Sequence, residues 1–342
     1  MSTSPQLLLA LDYGGTKHAA ALLRAGERTW AAQARVQSPA GADATYDQVT
    51  MLRMARGLLT QVPGRLVAIG VSFGGPVDAA RGLVRLSHHV PGWAEIPLAE
   101  RLQAELGAPA AVDNDANVAA LGEWRFGAGR GVASLLYATI STGIGGGWVL
   151  GGRIWSGADG MAGEIGHMTM RPGGAACDCG RHGCLEAEAS GRAIAREARE
   201  QVEAGSLKLE AESRTVRSAG EKTASPLLAL VNGNTAAITA QHVAQAATEG
   251  DAMAQAVLDK AAHTLGAGLG AAISLMNPER VVLGGGVTKA GARWWRTVRE
   301  EARATAFAQS RTEIVPAFLG DDAPLWGAIA LAEGMVGKPV NW

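Results

Sequence analysis

The sequence has no excess of charge of either sign. Lysine and arginine number 31, aspartate and glutamate number 32, and the formal net charge is −1 at pH 7. A nucleic-acid-binding surface normally shows as a basic excess, and an acidic interaction tail shows as a run of carboxylates. Neither is present. The 47% hydrophobic and 18% charged residues are instead typical of a compact globular enzyme with no nucleic-acid partner.

The sequence also lacks a targeting or membrane segment. Its first residues, MSTSPQLLLALDYGG, have neither the basic start nor the long apolar run of a signal peptide. The uncharged stretch 131–152 contains seven glycines and is too broken for a spanning helix. We therefore expect a cytoplasmic protein with no membrane partner. A chain of 342 residues is long for one core, so two domains are expected.

Cysteine is scarce, and all three cysteines lie in residues 177–184, CDCGRHGC. Three thiolates and one imidazole are typical of a closed, structural Zn²⁺ site, because a catalytic zinc keeps one position open to water. His167 upstream and His182 inside the loop compete for the fourth position. Free thiols in a reducing compartment are the alternative. The gathering of every cysteine in one glycine-rich loop favours zinc.

Two distant segments share a pattern of apolar strand, glycine turn and apolar strand. Residues 6–12 and 18–23 flank the first turn, and residues 134–150 repeat the layout. The repetition predicts duplicated α/β domains that face each other. Further strands are predicted at 66–73, 108–115 and 280–286, and helices at 46–59, 97–106, 116–124, 190–204 and 326–335. More than one helix is predicted across residues 239–275. The polar tract 205–227 predicts a flexible insertion.

Three glycine turns follow apolar strands: Gly14-Gly15-Thr16-Lys17, Thr142-Gly143-Ile144-Gly145-Gly146-Gly147, and Gly284-Gly285-Gly286. Backbone N–H groups of such turns, helped by a Thr hydroxyl or a Lys ammonium, can hold phosphate oxygens. Any one turn could be ordinary turn chemistry, but three together favour a nucleotide. The P-loop motif is absent, and no dinucleotide-binding motif follows a strand. Asp12 ends the first strand and is placed to hold a hydrated Mg²⁺.

The motifs, in their order along the chain, resemble those of the ROK sugar kinases, and most of all bacterial glucokinases of that family. They are LALDYGGTK, GGPVD, VDNDANVAALGE, ISTGIGGG, AGEIGH, CDCGRHGCLE and VVLGGGV, and they cover nearly the whole length. The zinc-loop and NDAN motifs are the specific ones. The resemblance implies an ATP-dependent kinase that phosphorylates the 6-hydroxyl of a hexose, and glucose is the expected preferred substrate. A kinase for N-acetylmannosamine, N-acetylglucosamine, fructose or mannose is the alternative, as is a sugar-sensing regulator without turnover.

The resemblance also implies the fold and its division. It predicts duplicated actin/hexokinase-like (ribonuclease H-like) α/β domains with an interdomain cleft, and commonly a homodimer. The smaller domain would comprise residues 1–117 and 326–342, and the larger one residues 118–325, with the zinc loop at 167–184. Some relatives are repressors with an added DNA-binding domain. Because the first core strand begins near residue 6, we expect that domain to be missing.

Site roles follow from the family motifs. Asp115 matches the general base that accepts the hydroxyl proton. Asn114, Glu164, His167 and Glu186 match sugar contacts, and Gly75 lies in a loop that borders the sugar. The alternative for Asn114 or Asp115 is a helix cap, and the two functions are compatible.

If one nitrogen of His167 binds zinc, the other is free to donate to the substrate. The metal ligands are then His167, Cys177, Cys179 and Cys184. On the nucleotide side, Thr16, Thr142 and Gly143 match the triphosphate site and residues 284–286 the adenosine end, whereas Lys17 could be only a surface charge.

One departure affects substrate choice. The family usually has Pro-Gly-Pro-Val-Asp where this chain has Gly74-Gly75-Pro76-Val77-Asp78. Loss of a proline frees the backbone. Since this loop borders the sugar in relatives, the substitution leaves the preferred hexose open.

Overall fold

The structure is a computed structural model that describes residues 4–87, 89–213 and 225–337. Its N-terminal half contains eight strands and three helices. They are β1 (Gln6–Tyr13), β2 (Lys17–Arg24), β3 (Ala32–Gln37), α1 (Ala44–Gln61), β4 (Arg65–Phe73), β5 (Val77–Asp78), β6 (Leu83–Leu86), β7 (Ala94–Ile96), α2 (Leu98–Leu106), β8 (Ala110–Asn114) and α3 (Asp115–Phe126).

The C-terminal half begins with a second strand–turn–strand unit and is rich in helices. Its elements are β9 (Ser134–Ile140), β10 (Ile144–Leu150), β11 (Arg153–Ile154), α4 (Leu185–Ala189), α5 (Gly191–Ser213), α6 (Pro226–Leu230), α7 (Ala240–Thr248), α8 (Ala252–Met276), β12 (Arg280–Gly284), α9 (Ala292–Thr305), β13 (Glu313–Pro316) and α10 (Ala323–Met335).

The two halves each contain a five-stranded sheet of the same topology. The first sheet has the order β3-β2-β1-β4-β8 and the second the order β11-β10-β9-β12-β13. In both sheets the first three strands along the chain are antiparallel neighbours, and the remaining two add in parallel. The predicted duplication is therefore confirmed.

The buried strands account for the continuous apolar runs in the sequence. Residues 7–11 of β1 are almost fully buried, as is typical of a central strand covered on both faces. A separate small sheet, β5-β6-β7, follows β4 and supports the loop that begins at Gly74. Sequence patterns missed this small sheet and the short edge strands β3, β11 and β13.

Helices α3 and α10 connect the two cores. They pack closely against each other, and α10 also packs on β1 and β4 of the first sheet. Val118 shares a cluster with α10 and the first sheet, whereas Ala119 shares one with β9 of the second sheet. The predicted boundary between residues 117 and 118 thus falls inside a helix that packs on both cores, and the division into domains stays a proposal.

Part of the predicted flexible insertion 205–227 is helical. Helix α5 continues through Ser213, and α6 begins at Pro226, so residues 205–213 and 226–227 are helical. Polar composition alone did not reveal that the helix continues. Residues 214–224 of the predicted insertion lie outside the described residues. Within the part of the chain that the structure describes, no helix is long and apolar enough to cross a membrane.

Candidate functional site

The strand register brings the candidate acids of the first sheet together. Asp12 of β1 is level with Ser72 of β4, and Ser72 is level with Asp113 of β8. Because parallel strands end at the same edge of a sheet, the residues that follow β4 and β8 meet beside the end of β1. Residues separated by about a hundred positions in sequence thus share one edge.

Asn114 starts helix α3 and anchors the neighbouring loop. Its Oδ1 accepts from the backbone N–H of Ala116 at 3.0 Å and that of Asn117 at 3.4 Å, which makes it the helix N-cap. Its Nδ2 donates to the carbonyl of Gly75 at 3.1 Å. Asn114 therefore has the capping role given above as the alternative, and it also ties the helix start to the Gly75 loop.

Asp115 is the first residue of α3 and is exposed to solvent at the sheet edge. Its Oδ1 accepts from the N–H of Ala116 at 2.8 Å. Desolvation by the surrounding protein and, after it, the charge of Asp12 raise the pKa of Asp115 to about 6, with a smaller contribution from Glu164. A carboxylate with this pKa is ionised at neutral pH, yet it is basic enough to accept a hydroxyl proton.

Asp12 is buried at the end of β1. The Ser72 hydroxyl donates to Asp12 Oδ1 at 2.8 Å, and no hydrogen bond to Oδ2 is found among the described residues. Desolvation raises the pKa of Asp12, against the hydrogen bond from Ser72 and the charges of Lys17 and Arg35. A partly desolvated carboxylate with one oxygen to spare fits a hydrated Mg²⁺, whose charge would favour the ionised form. Ser72 was missed from sequence, where it is one small residue in an apolar strand.

The first glycine turn closes the β1–β2 hairpin. The Gly14 N–H donates to the Lys17 carbonyl at 3.1 Å, and Gly15 and Thr16 are exposed. The charge of Lys17 lowers the pKa of Asp12 and so opposes the effect of burial. This turn directly follows the strand that carries Asp12, the candidate magnesium ligand.

Gly74 makes a contact that the family's proline could not make. Its backbone N–H donates to the Tyr13 carbonyl at 3.0 Å, and proline has no N–H. The same glycine lies beside Asp115, since a Cβ placed on it would be 3.8 Å from Asp115 Oδ2. The departure from the family motif thus lies directly against the predicted base.

The second glycine turn is held by a carboxylate from the zinc-loop side. Glu186 Oε2 accepts from the backbone N–H of Ile144 at 2.8 Å. A side chain on Gly143 would collide with the same oxygen, so a larger residue here would displace the Glu186 carboxylate from the Ile144 N–H. Glu186 was predicted as a sugar contact, and in the structure it also links the zinc-loop region to the Thr142-Gly143 turn.

The third glycine turn borders a cavity of about 860 Å³, large enough for a nucleotide. Gly285 has φ of +89° and packs against the Ile140 carbonyl, which leaves no room for a Cβ. Of the predicted nucleotide residues, Thr142 and Gly286 line the cavity, whereas Asp12, residues 14–17, Gly143, Gly284 and Gly285 do not. Residues of α5, α7 and the turn after β12 line it too and were missed because no motif marks them: Arg192, Arg199, Gln241, Gln245 and Lys289.

The structure brings the four predicted metal ligands together. One donor atom from each of His167, Cys177, Cys179 and Cys184 lies within 4.8 Å of the others. Cys177 Sγ is 3.6 Å from His167 Nδ1, and Cys179 Sγ is 3.7 Å from Cys184 Sγ. A tetrahedral zinc with Zn–S of about 2.3 Å and Zn–N of about 2.1 Å requires edges of roughly 3.6 and 3.8 Å. The donor set therefore fits Zn²⁺, and His182 is outside this cluster.

His167 presents its second nitrogen away from the cysteines. Nε2 lies 3.8 Å from Glu164 Oε2, and Glu164 is exposed. Glu164 and Asn114 line one small pocket together with Asn117, a buried residue that the motif comparison had not assigned to the site. Asp115, His167, Glu186 and Gly75 do not line this pocket. Of the candidate sugar contacts, Asn114 and Glu164 thus line the pocket, whereas Gly75, His167 and Glu186 do not.

Two sheets of identical topology, with acidic groups at the edge of one and glycine turns in both, define the two-domain kinase fold of the actin and hexokinase class. The ROK family model matches residues 8–335, and the chain belongs to the ROK family.

Known proteins support this assignment. The glucokinase of Halalkalibacterium halodurans is 39% identical over 265 residues, which are 77% of this chain and 74% of that protein. The crystal structure of the ROK hexokinase from Thermus thermophilus matches with a TM-score of 0.79 at 33% identity, covering 96% of this chain and 99% of that chain. A ROK family glucokinase from Streptomyces griseus in complex with glucose and AMPPNP matches with a TM-score of 0.78 at 32% identity over the same shares.

Proposed function

We propose that this chain is an ATP-dependent hexose kinase that transfers the terminal phosphoryl group of ATP to the 6-hydroxyl of a hexose, with glucose as its main substrate. The observation that carries the proposal is the position of Asp115. It starts α3 at the sheet edge that Asp12 also occupies, and its pKa is raised to about 6. The glucokinase relatives support glucose as the hexose.

The base would act through a single proton transfer. Asp115 accepts the proton of the sugar 6-hydroxyl while that oxygen attacks the γ-phosphorus and the bond to the β-phosphate oxygen breaks. The products are the sugar phosphate, ADP and the protonated Asp115, which then loses its proton to water. Catalysis of this transfer consists mostly of positioning and electrostatic stabilisation.

Sugar recognition would use residues around the small pocket. Glu164 and Asn114 line it, and His167 Nε2 lies beside Glu164. A hexose presents hydroxyls that both donate and accept, and these side chains supply acceptors and donors in several directions. Glu186 and the Gly75 loop would complete the sugar site from adjacent elements.

Phosphate binding would use the glycine turns of both sheets, with Thr16 in the first and Thr142 in the second. Asp12 would hold a hydrated Mg²⁺, which when bound neutralises phosphate charge. The 860 Å³ cavity lined by Thr142 and Gly286 would receive the adenosine end.

A structural Zn²⁺ on the four clustered ligands would fix the ring of His167. The family resemblance also predicts a homodimer.

A second hexose-type substrate is the alternative that one observation favours. Gly74 stands where the family has proline, and it lies against Asp115. Glycine lacks the proline ring and leaves more space beside Asp115, which can admit a different hexose or an N-acetylhexosamine.

A panel of sugars tests the proposal. We expect ATP-dependent ADP release with glucose, and kcat/KM for glucose above that for mannose, fructose, N-acetylglucosamine and N-acetylmannosamine. Negligible turnover of glucose beside rapid turnover of another sugar would transfer the assignment to that sugar. Sugar binding without ADP release from any of them would indicate a sensor instead of a kinase.

A further inference from the structure

Arg192 occupies a junction between three parts of the molecule. It is the second residue of α5, and its backbone N–H donates to the Thr142 carbonyl at 3.3 Å. Its Nη1 lies 2.8 Å from Asp178 Oδ2, and its Nη2 lies 3.6 Å from Glu186 Oε1. The same residue lines the 860 Å³ cavity. Arg192 therefore contacts the zinc loop, a candidate sugar-site carboxylate and the candidate nucleotide cavity.

The carboxylate of Glu186 is held from two sides. Oε2 accepts from the Ile144 N–H in the second glycine turn, and Oε1 faces Arg192. The Glu186 side chain is only 16% exposed, so its orientation depends on these two partners. A shift of Arg192 would therefore change the orientation of the Glu186 carboxylate.

The contact with Asp178 is of a different kind. The Asp178 side chain is 76% exposed and that of Arg192 is 48% exposed. Exposed ion pairs contribute little, because water and salt screen them. A phosphate group entering the cavity could replace Asp178 at low cost, since a guanidinium has five N–H donors and binds phosphate through two of them at once.

We propose that Arg192 binds a phosphate group of the nucleotide while it holds Glu186, and that it thereby couples nucleotide affinity to sugar affinity. The inference deepens the proposed kinase function and rests on it. Arg192 is a positioning residue toward the sugar and a direct contact toward the phosphates. By thermodynamic linkage, each substrate then raises the affinity for the other by the same factor.

The test measures sugar binding by calorimetry with and without a non-hydrolysable ATP analogue. The wild-type protein should bind glucose several-fold more tightly with the analogue. In Arg192→Gln this factor should fall to about one, and the KM for ATP should rise about tenfold, because the charge-assisted contact with the phosphate group is lost. Arg192→Lys keeps the charge without the paired donors, and its coupling factor should be intermediate.

Asp178→Asn is the matched control. It removes the exposed partner of Arg192 and leaves the contact with Glu186, so the coupling factor should stay near the wild-type value. Zinc content and the thermal unfolding midpoint of Arg192→Gln should match those of the wild type, which separates coupling from a general loss of structure.

Two results would overturn the inference. One is a wild-type protein that phosphorylates glucose but binds it equally with and without the analogue. The other is an Arg192→Gln variant with wild-type coupling and wild-type KM for ATP. Both leave the kinase assignment intact. A wild-type protein that turns over no sugar contradicts the proposed function and this inference together.

Discussion

The charge of Asp12 raises the pKa of Asp115, although 102 positions separate the two residues in sequence. Both lie at the same edge of the first sheet, because β1, β4 and β8 are parallel neighbours. If a magnesium ion binds at Asp12, it would offset part of this effect and favour the ionised form of Asp115 at the moment when ATP is bound. The pair thus connects the state of the base to the phosphate site.

Replacing Asp115 by Asn should abolish most of the activity. The amide cannot accept the hydroxyl proton, and a positioned base typically contributes about 10² to 10⁴ in rate. The sugar dissociation constant should change little, since the base acts mainly in the transition state. Steady-state assays and calorimetry on the same preparation check both. A variant with near-normal kcat would show that another group is the base.

The pH dependence should report Asp115. Its pKa is raised from the ordinary carboxyl value to about 6, so the base is protonated below about pH 6 and ionised above it. The value of kcat/KM for the sugar should therefore fall as the pH drops through about 6, by about tenfold per unit further down. Measurement of kcat/KM for the sugar from pH 4.5 to 8 tests this prediction. A profile that stays flat down to about pH 5 would mean that the surrounding protein and the charge of Asp12 do not raise the pKa of Asp115 as described.

Removal of one metal ligand should release the metal. Cys179→Ser should lose stoichiometric zinc and bind sugar more weakly, because the ring of His167 is then no longer fixed. His182→Ala provides the control, since His182 lies outside the four-ligand cluster and its loss should leave zinc content unchanged. Elemental analysis of both proteins checks the prediction. Zinc lost from His182→Ala, or full sugar affinity in a zinc-free Cys179→Ser, would contradict it.

The two functions of Asn114 should be separable. Asn114→Ala removes the cap of α3 and should lower the free energy of unfolding by about 1 kcal/mol. Asn114→Ser keeps a capping oxygen, so its stability should remain close to that of the wild type. Serine still lacks the amide that donates to the Gly75 carbonyl, and both variants should raise the KM for the sugar. Denaturant titration and sugar kinetics check this, and an unchanged KM in both would assign Asn114 to capping alone.

The local patterns of the sequence were enough for much of the fold. The apolar runs ending in glycine turns predicted the paired strands β1–β2 and β9–β10, and their repetition predicted the duplication. The cluster of candidate metal ligands could also be predicted, because its three cysteines lie within eight positions and local loop geometry brings them together. The short edge strands were missed, since a run of two to six residues carries little periodicity.

The sequence by itself determined the chemical groups of this protein: the cysteine loop, the acids that end or follow β1 and β8, and the glycine turns. These are local features, for which spacing along the chain is sufficient. Only the tertiary structure decided which of them meet, as when Ser72 binds Asp12 and Arg192 lies between Asp178 and Glu186. Strand register and helix packing set those contacts over long separations, and no local pattern contains that information.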